Sequence, residues 1–275
     1  MGTRLTHLHL RRARISGMRI PFLIAAFMLT SASAHAADRS FTGFARSLDD
    51  GKLLYVESHA LSGVGSGNEA RIVLYRCSPD SPPFARKELE YGAMRTMPTF
   101  DFVDARSGYT EGFKRDARGF KIFSRPGAQA TLRSKVIAPA DALVVDAGFD
   151  EFVVEQWTAL ENGQDAKVPF LVPSMLESLN FRIRKVRDED IDGEPASVIR
   201  LSLAGPVGWF LPDIEVSYRK RDRRLMRYRG LTNIRDASGA LLKAQIDFPE
   251  ADSDTRAVDL ASLRTMPLVA ACAKS

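Results

Sequence analysis

Apolar and polar positions alternate along most of this chain in short runs broken by turn residues, the period of half-buried β-strands. Residues 53–61 have strand composition and run into a flexible stretch holding Gly63, Gly65 and Gly67. Residues 71–75 follow, then a loop with Pro79, Pro82 and Pro83. Residues 84–91 and 99–103 carry the pattern more weakly. Residues 109–114 and 119–124 flank 115–118 as a hairpin, and 131–137 form a further strand. The alternation is cleaner in the second half. Residues 181–186 pair with 197–203 across a turn at Asp192-Gly193, 214–218 turn at 221–223 into 225–234, and 236–239 lead into 241–248. Hairpins in series predict an antiparallel meander. The polar residues 38–50 are expected to be loose.

One segment has the helical period. Phe149, Phe152, Val153, Trp157 and Leu160 recur at three- and four-residue steps, with Asp150 as a cap and Asn162-Gly163 as a stop. This predicts an amphipathic helix of about three turns between two strands, its apolar face on the concave side of the sheet. The fold class is therefore mainly β (α+β): a curved antiparallel meander or half-barrel over residues 51–250, with one inserted helix and a C-terminal tail, 251–275.

Residues 1–36 read differently. Arg4, Arg11, Arg12, Arg14 and Arg19 precede an apolar run, 20–29, and small residues end in Ala34-His35-Ala36. This is the pattern of a cleaved secretory signal, with Ala37 as the first mature residue and the periplasm as destination. Met18 is an alternative start. The apolar run is half the roughly twenty residues a spanning helix needs. The surroundings of Arg11-Arg12 lack the rest of a twin-arginine pattern, and no cysteine stands at the cleavage site for lipid attachment.

Export changes the electrostatics. The chain has 39 Lys and Arg against 34 Asp and Glu; the signal holds five of the bases and no acid, so the mature chain carries 34 of each. Zero net charge argues against nucleic acid as a partner. Of 4 histidines, His7, His9 and His35 leave with the signal, and His59 alone remains. That excludes sites needing two imidazoles and allows a Ser-His-Asp triad only through His59, which sits on an alternating strand. The 2 cysteines, Cys77 and Cys272, fit a disulfide in an oxidising compartment, closing a loop worth roughly 4–5 kcal/mol, or two separate thiols.

Other motifs fail as chemistry. Asp188-Glu189-Asp190-Ile191-Asp192-Gly193 opens like a calcium loop, but Ile199 stands where a bidentate glutamate is required and Pro195 interrupts it. The glycine loop lacks the Lys-Ser/Thr of a phosphate cradle, and no G-x-S-x-G elbow is present. No cofactor and no metal are expected. Two features remain. Arg219, Arg221, Arg223 and Arg224 crowd one hairpin and suggest contact with anionic headgroups or a membrane surface. Two proline-bounded apolar loops, 168–175 and 205–212, fold onto the core or rim an apolar pocket.

The helix 149–160, the apolar run 167–173 and the closing meander from Glu215 through residues 228–234 to Asp247-Phe248-Pro249 together resemble the half-barrel of periplasmic lipoprotein-carrier (Lol) proteins and their uncharacterised periplasmic relatives. The resemblance implies an apolar concavity, covered by helix, that receives acyl chains. On this basis Phe152, Trp157, Phe170, Trp209 and Phe210 are candidates to line a site for a lipid or other amphipathic molecule, with no catalysis. The alternatives are a cell-envelope module that binds another protein, and a hydrolase using carboxylates, which meet only in three dimensions.

Overall fold

The computed structural model describes residues 2, 37–138, 142–204 and 213–273. The strands are β1 (Ala37–Ser47), β2 (Leu53–Val64), β3 (Ala70–Arg76), β4 (Pro83–Glu90), β5 (Thr99–Asp104), β6 (Tyr109–Asp116), β7 (Gly119–Arg125) and β8 (Arg133–Ile137). After helices α1 (Gly148–Glu155) and α2 (Trp157–Glu161) come β9 (Ala166–Val172), β10 (Glu177–Ile191), β11 (Glu194–Leu203), β12 (Ile214–Arg219), β13 (Leu225–Arg235), β14 (Leu241–Asp247), the short β15 (Ser253–Asp254) and helix α3 (Leu260–Thr265).

All named strands form one 15-stranded sheet in which the order runs β8 to β1 and then β14 to β9. The predicted meander is therefore present, in two halves joined by β1. This corrects the expectation of a loose N-terminal segment: β1 pairs with both β2 and β14, in the middle of the sheet. Its inward positions are Phe41, Gly43 and Ala45, all buried. Two of the three are too small to mark a hydrophobic face in sequence.

The chain from residue 143 to 163 lies against the inner side of the sheet. The helical period predicted one rod; the structure breaks it at Gln156 into α1 and α2. Asp150 is not the cap. It lies in the first turn of α1, while Ala147 holds the cap position. Asn162 and Gly163 (φ 76°) end α2 as expected. Gly148 lets α1 start where it does: a Cβ there would strike the Thr96 carbonyl, which also accepts from Val145 N–H at 2.9 Å.

Beyond α2, residues 166–172 are an edge strand rather than a loop. Pro169 is tolerated because an edge leaves one side of the ladder free, and Val144 bonds that side, N–H to the Pro169 carbonyl and carbonyl to the Leu171 N–H, both at 2.9 Å. The two ends of the sheet overlap. Leu171 and Leu176 pack into the same apolar core as Phe113, Phe120 and Ile122, so the turn 173–175 between β9 and β10 tucks against β6 and β7 while β8 forms an outer lip.

The C-terminal segment crosses the other side. Helix α3 packs on β2 and β3, over Ile72 and Leu74, which are 0% and 1% exposed. It ends at a disulfide between Cys77 and Cys272, with Cα atoms 5.8 Å apart.

Candidate functional site

The inner face of the first half is not uniformly apolar. Register places Phe41, His59, Val73, Lys87, Phe102, Glu111 and Ser124 in one cross-strand row. Its charged members and His59 have partners, although His59 Nδ1 is buried without one. Lys87 donates to Asp146 Oδ2 at 2.7 Å, and Asn233, from β13, donates to the same oxygen at 3.1 Å. Tyr109 O–H donates to Glu111 at 2.7 Å, and Tyr218 O–H to Asp150 at 2.8 Å. His59 Nε2 lies 3.0 Å from Glu57 Oε2, its ring stacked on Phe41 at 4.4 Å between centroids. Arg95 ties Glu69 to Glu151 of α1. These carboxylates hold α1 and the segment before it to the sheet. None stands open beside another across a cleft.

Burial shifts two of these groups away from their charged forms. It holds the Glu111 carboxyl above its usual range, against the bond from Tyr109. It pushes the His59 imidazole down, against the neighbouring Glu57 carboxylate. A depressed histidine means the unfolded chain binds the proton first. Stability from His59 is thus complete above its unfolded value of about 6.5 and is lost as pH falls through and below it. Urea titrations between pH 7 and 5 should show this loss, and His59→Gln should flatten that part of the profile relative to the wild type.

The second half of the interior holds the predicted lining. Phe152, Trp157 and Phe170 belong to one cluster with Phe149, Val153, Leu160, Ile183, Ile199, Val216 and Tyr218. Trp157 meets Tyr218 edge-on at 6.5 Å between centroids, and Phe170 meets Phe181 at 5.8 Å. The sequence expects a hollow between helix and sheet. The structure has side-chain contact there instead: Val153, Ile183 and Ile199 are 0% exposed and Leu160 is 1%. Breaking the helix at Gln156 lets both pieces seat their apolar residues on β9–β12. Trp209 and Phe210 lie outside the described residues.

The arginine hairpin is also not as expected. Arg219 is 3% exposed and bonded to Asp222 at 2.6 Å and Glu250 at 2.5 Å. Arg221 pairs with Glu194 at 3.1 Å, and Arg224 donates to the Phe248 carbonyl at 2.8 Å and Ser253 Oγ at 3.0 Å. A free cationic face is corrected to an ion-paired one, because Glu194 and Glu250, distant in sequence, fold onto it. Arg223 is exposed and lies 5.9 Å from the Trp157 ring, so one predicted cation does stand beside one predicted lining residue.

Two cavities lie elsewhere among the described residues. A groove of about 520 Å³ on the outer side of β10–β14 is lined by Ile191, Met226, Pro249 and Ala251 together with the charged Asp192, Glu194, Arg224, Arg227, Asp247 and Glu250, and Phe248, which also lines it, turns its ring inward onto Phe41 and His59. The Asp192-Gly193 turn (φ 55° and 82°, the hairpin geometry those residues favour) closes one end. A smaller cavity of about 260 Å³ lies under the β8 lip, between Ile122, Lys135 and Ile137 on one side and Leu171, Leu176, Glu177 and Ser178 on the other. No group of three or more His, Cys, Asp or Glu among the described residues is arranged to hold a metal ion. The groove was not legible in sequence: Ile191 and Met226 belong to different hairpins, and each reads alone as an ordinary strand residue.

No family model and no curated protein matches the chain. Solved structures do. A beta-barrel-like protein of the domain of unknown function DUF1849 from Brucella abortus is 7% identical over 81% of this chain and 98% of its own, with a TM-score of 0.48. A putative outer membrane lipoprotein-sorting protein domain from Vibrio parahaemolyticus is 9% identical over 82% and 88%, with a TM-score of 0.29. A DUF1329 family protein from Desulfovibrio piger is 10% identical over 84% and 90%, also at 0.29.

Proposed function

We propose that this chain is an exported cell-envelope protein that works by binding, without chemistry on its ligand, and that the ligand is a lipid-like amphipathic molecule seated in the outer groove of β10–β14. The groove itself carries the reading. Its volume of about 520 Å³ is within the range of small-molecule sites, and its lining mixes Ile191, Met226, Pro249 and Ala251 with charged side chains, which suits an amphipathic molecule better than a wholly apolar one. The rim is zwitterionic: Arg227 pairs with Asp247 at 2.6 Å, and Arg221 with Glu194. That favours a head carrying both donor and acceptor groups over a simple anion. The bonded Cys77–Cys272 pair supports an oxidising compartment, and the paired interior carboxylates favour binding over hydrolysis.

Native mass spectrometry of the protein from its own envelope should find a co-purifying amphiphile. Dodecylphosphocholine below its micelle concentration should bind saturably. Ala251, at the groove wall and exposed, gives a blocking variant: Ala251→Trp should weaken binding by about tenfold, roughly 1.4 kcal/mol, with an unchanged urea midpoint. A protein that takes up no amphiphile, or an Ala251→Trp variant that binds as tightly as wild type, rules out this site.

A further inference from the structure

We infer that the outer edge of β8 docks an extended acidic segment of another protein by strand addition, a site separate from the groove and independent of what the groove holds. β8 is the terminal strand of the sheet, and among the described residues no backbone group bonds its outer side. An open strand edge is a template for one more strand. The chemistry around this edge is one-sided. Lys121, Arg125, Arg133 and Lys135 stand on β7 and β8, and none has a carboxylate within 4.0 Å among the described residues, whereas most other charged hairpins here are internally paired. Arg133 reaches only the Ser174 carbonyl, at 2.8 Å.

The edge also has a place for an apolar anchor. The cavity of about 260 Å³ opens beneath β8, with Ile122, Ile137, Leu171 and Leu176 in its wall. Leu132 and Met175 beside it are the most exposed large apolar side chains described, at 49% and 52%. The Arg133–Ser174 bond places those two neighbours on one surface. A strand laid along β8 would put every other side chain on the face that holds Arg133, Lys135 and the cavity, so its acids and its apolar anchor would share that face. The partner that fits is therefore acidic, extended and punctuated by an apolar residue. A second copy of this edge is a poor occupant, because its like charges would repel.

The probe is a fluorescein-labelled nonapeptide alternating Asp with Val and one central Leu, titrated against the full mature chain. Saturable binding is expected, with slowed amide exchange in residues 132–137 and little change at the groove. Arg133→Glu with Lys135→Glu, both at exposed positions, should weaken binding by about tenfold or more, and a peptide with Asn for Asp should bind correspondingly less. No binding below about 1 mM, protection elsewhere, or indifference to the charge reversal overturns the proposal. So does adsorption to phosphatidylglycerol vesicles through these residues with no peptide binding, which would make the edge a membrane contact. Loss of the groove's amphiphile binding leaves this test unaffected.

Discussion

Cys272→Ser is expected to lower the folding free energy by about 5 kcal/mol, the cost of releasing a very long closed loop in the unfolded chain. The bridge spans a separation of 195 residues, so most of the chain gains freedom when it opens. The native state loses too. The segment it ties down donates from Val269 N–H to the Pro83 carbonyl at 2.9 Å, from Arg264 to Glu88 at 2.7 Å and from Val258 N–H to Asp38 at 3.1 Å, and accepts from Arg86 at the Met266 carbonyl at 3.0 Å. These few bonds, exposed or only part-buried, would not hold α3 over Ile72 and Leu74 unaided. Urea midpoints of the oxidised, reduced and Cys272→Ser proteins check this. The last two should coincide well below the first, and a common midpoint for all three would show that the tether contributes nothing.

Lys87→Met should cost about 3–5 kcal/mol, the penalty of leaving one member of a buried pair unpaired. Lys87 and Asp146 have side chains only 8% and 12% exposed. Asp146 is the pin between the halves of the sheet: it accepts from Lys87 on β4 and from Asn233 on β13, and it bonds the Ala147 N–H at 2.8 Å. Its backbone sits at φ 45°, a conformation that a non-glycine residue holds only when its surroundings fix it. Adding Asp146→Asn to Lys87→Met should recover most of the loss, since the amide keeps bonding capacity without a buried charge. Additive losses in that double-mutant cycle would mean the two side chains act independently.

Much of the architecture is legible in sequence, and the failures share a cause. Clean alternation locates the hairpins of the second half, and Asp192-Gly193 gives its turn because both residues adopt positive φ readily. Alternation does not say which face is inside. Glu57 and His59 share a side of β2 with Tyr55 and Leu61, and all four are buried, whereas polar residues on a strand ordinarily mark the solvent face. The interior ion pairs were therefore invisible, as were the acids that neutralise the arginine hairpin. Residues 168–175 read as a loop because Pro169 and Pro173 mask the edge strand Ala166–Val172. Periodicity places the helix, but it cannot show the break at Gln156 or that Val153, Trp157 and Leu160 are packed against the strands.

Where the amphiphile sits decides the account. Hydrogen exchange of the protein, with and without saturating dodecylphosphocholine, reads this directly. Slowed exchange confined to residues 191–194, 224–227 and 247–251 is the predicted result. Protection centred on 149–160 and 166–172, or none anywhere, would contradict it.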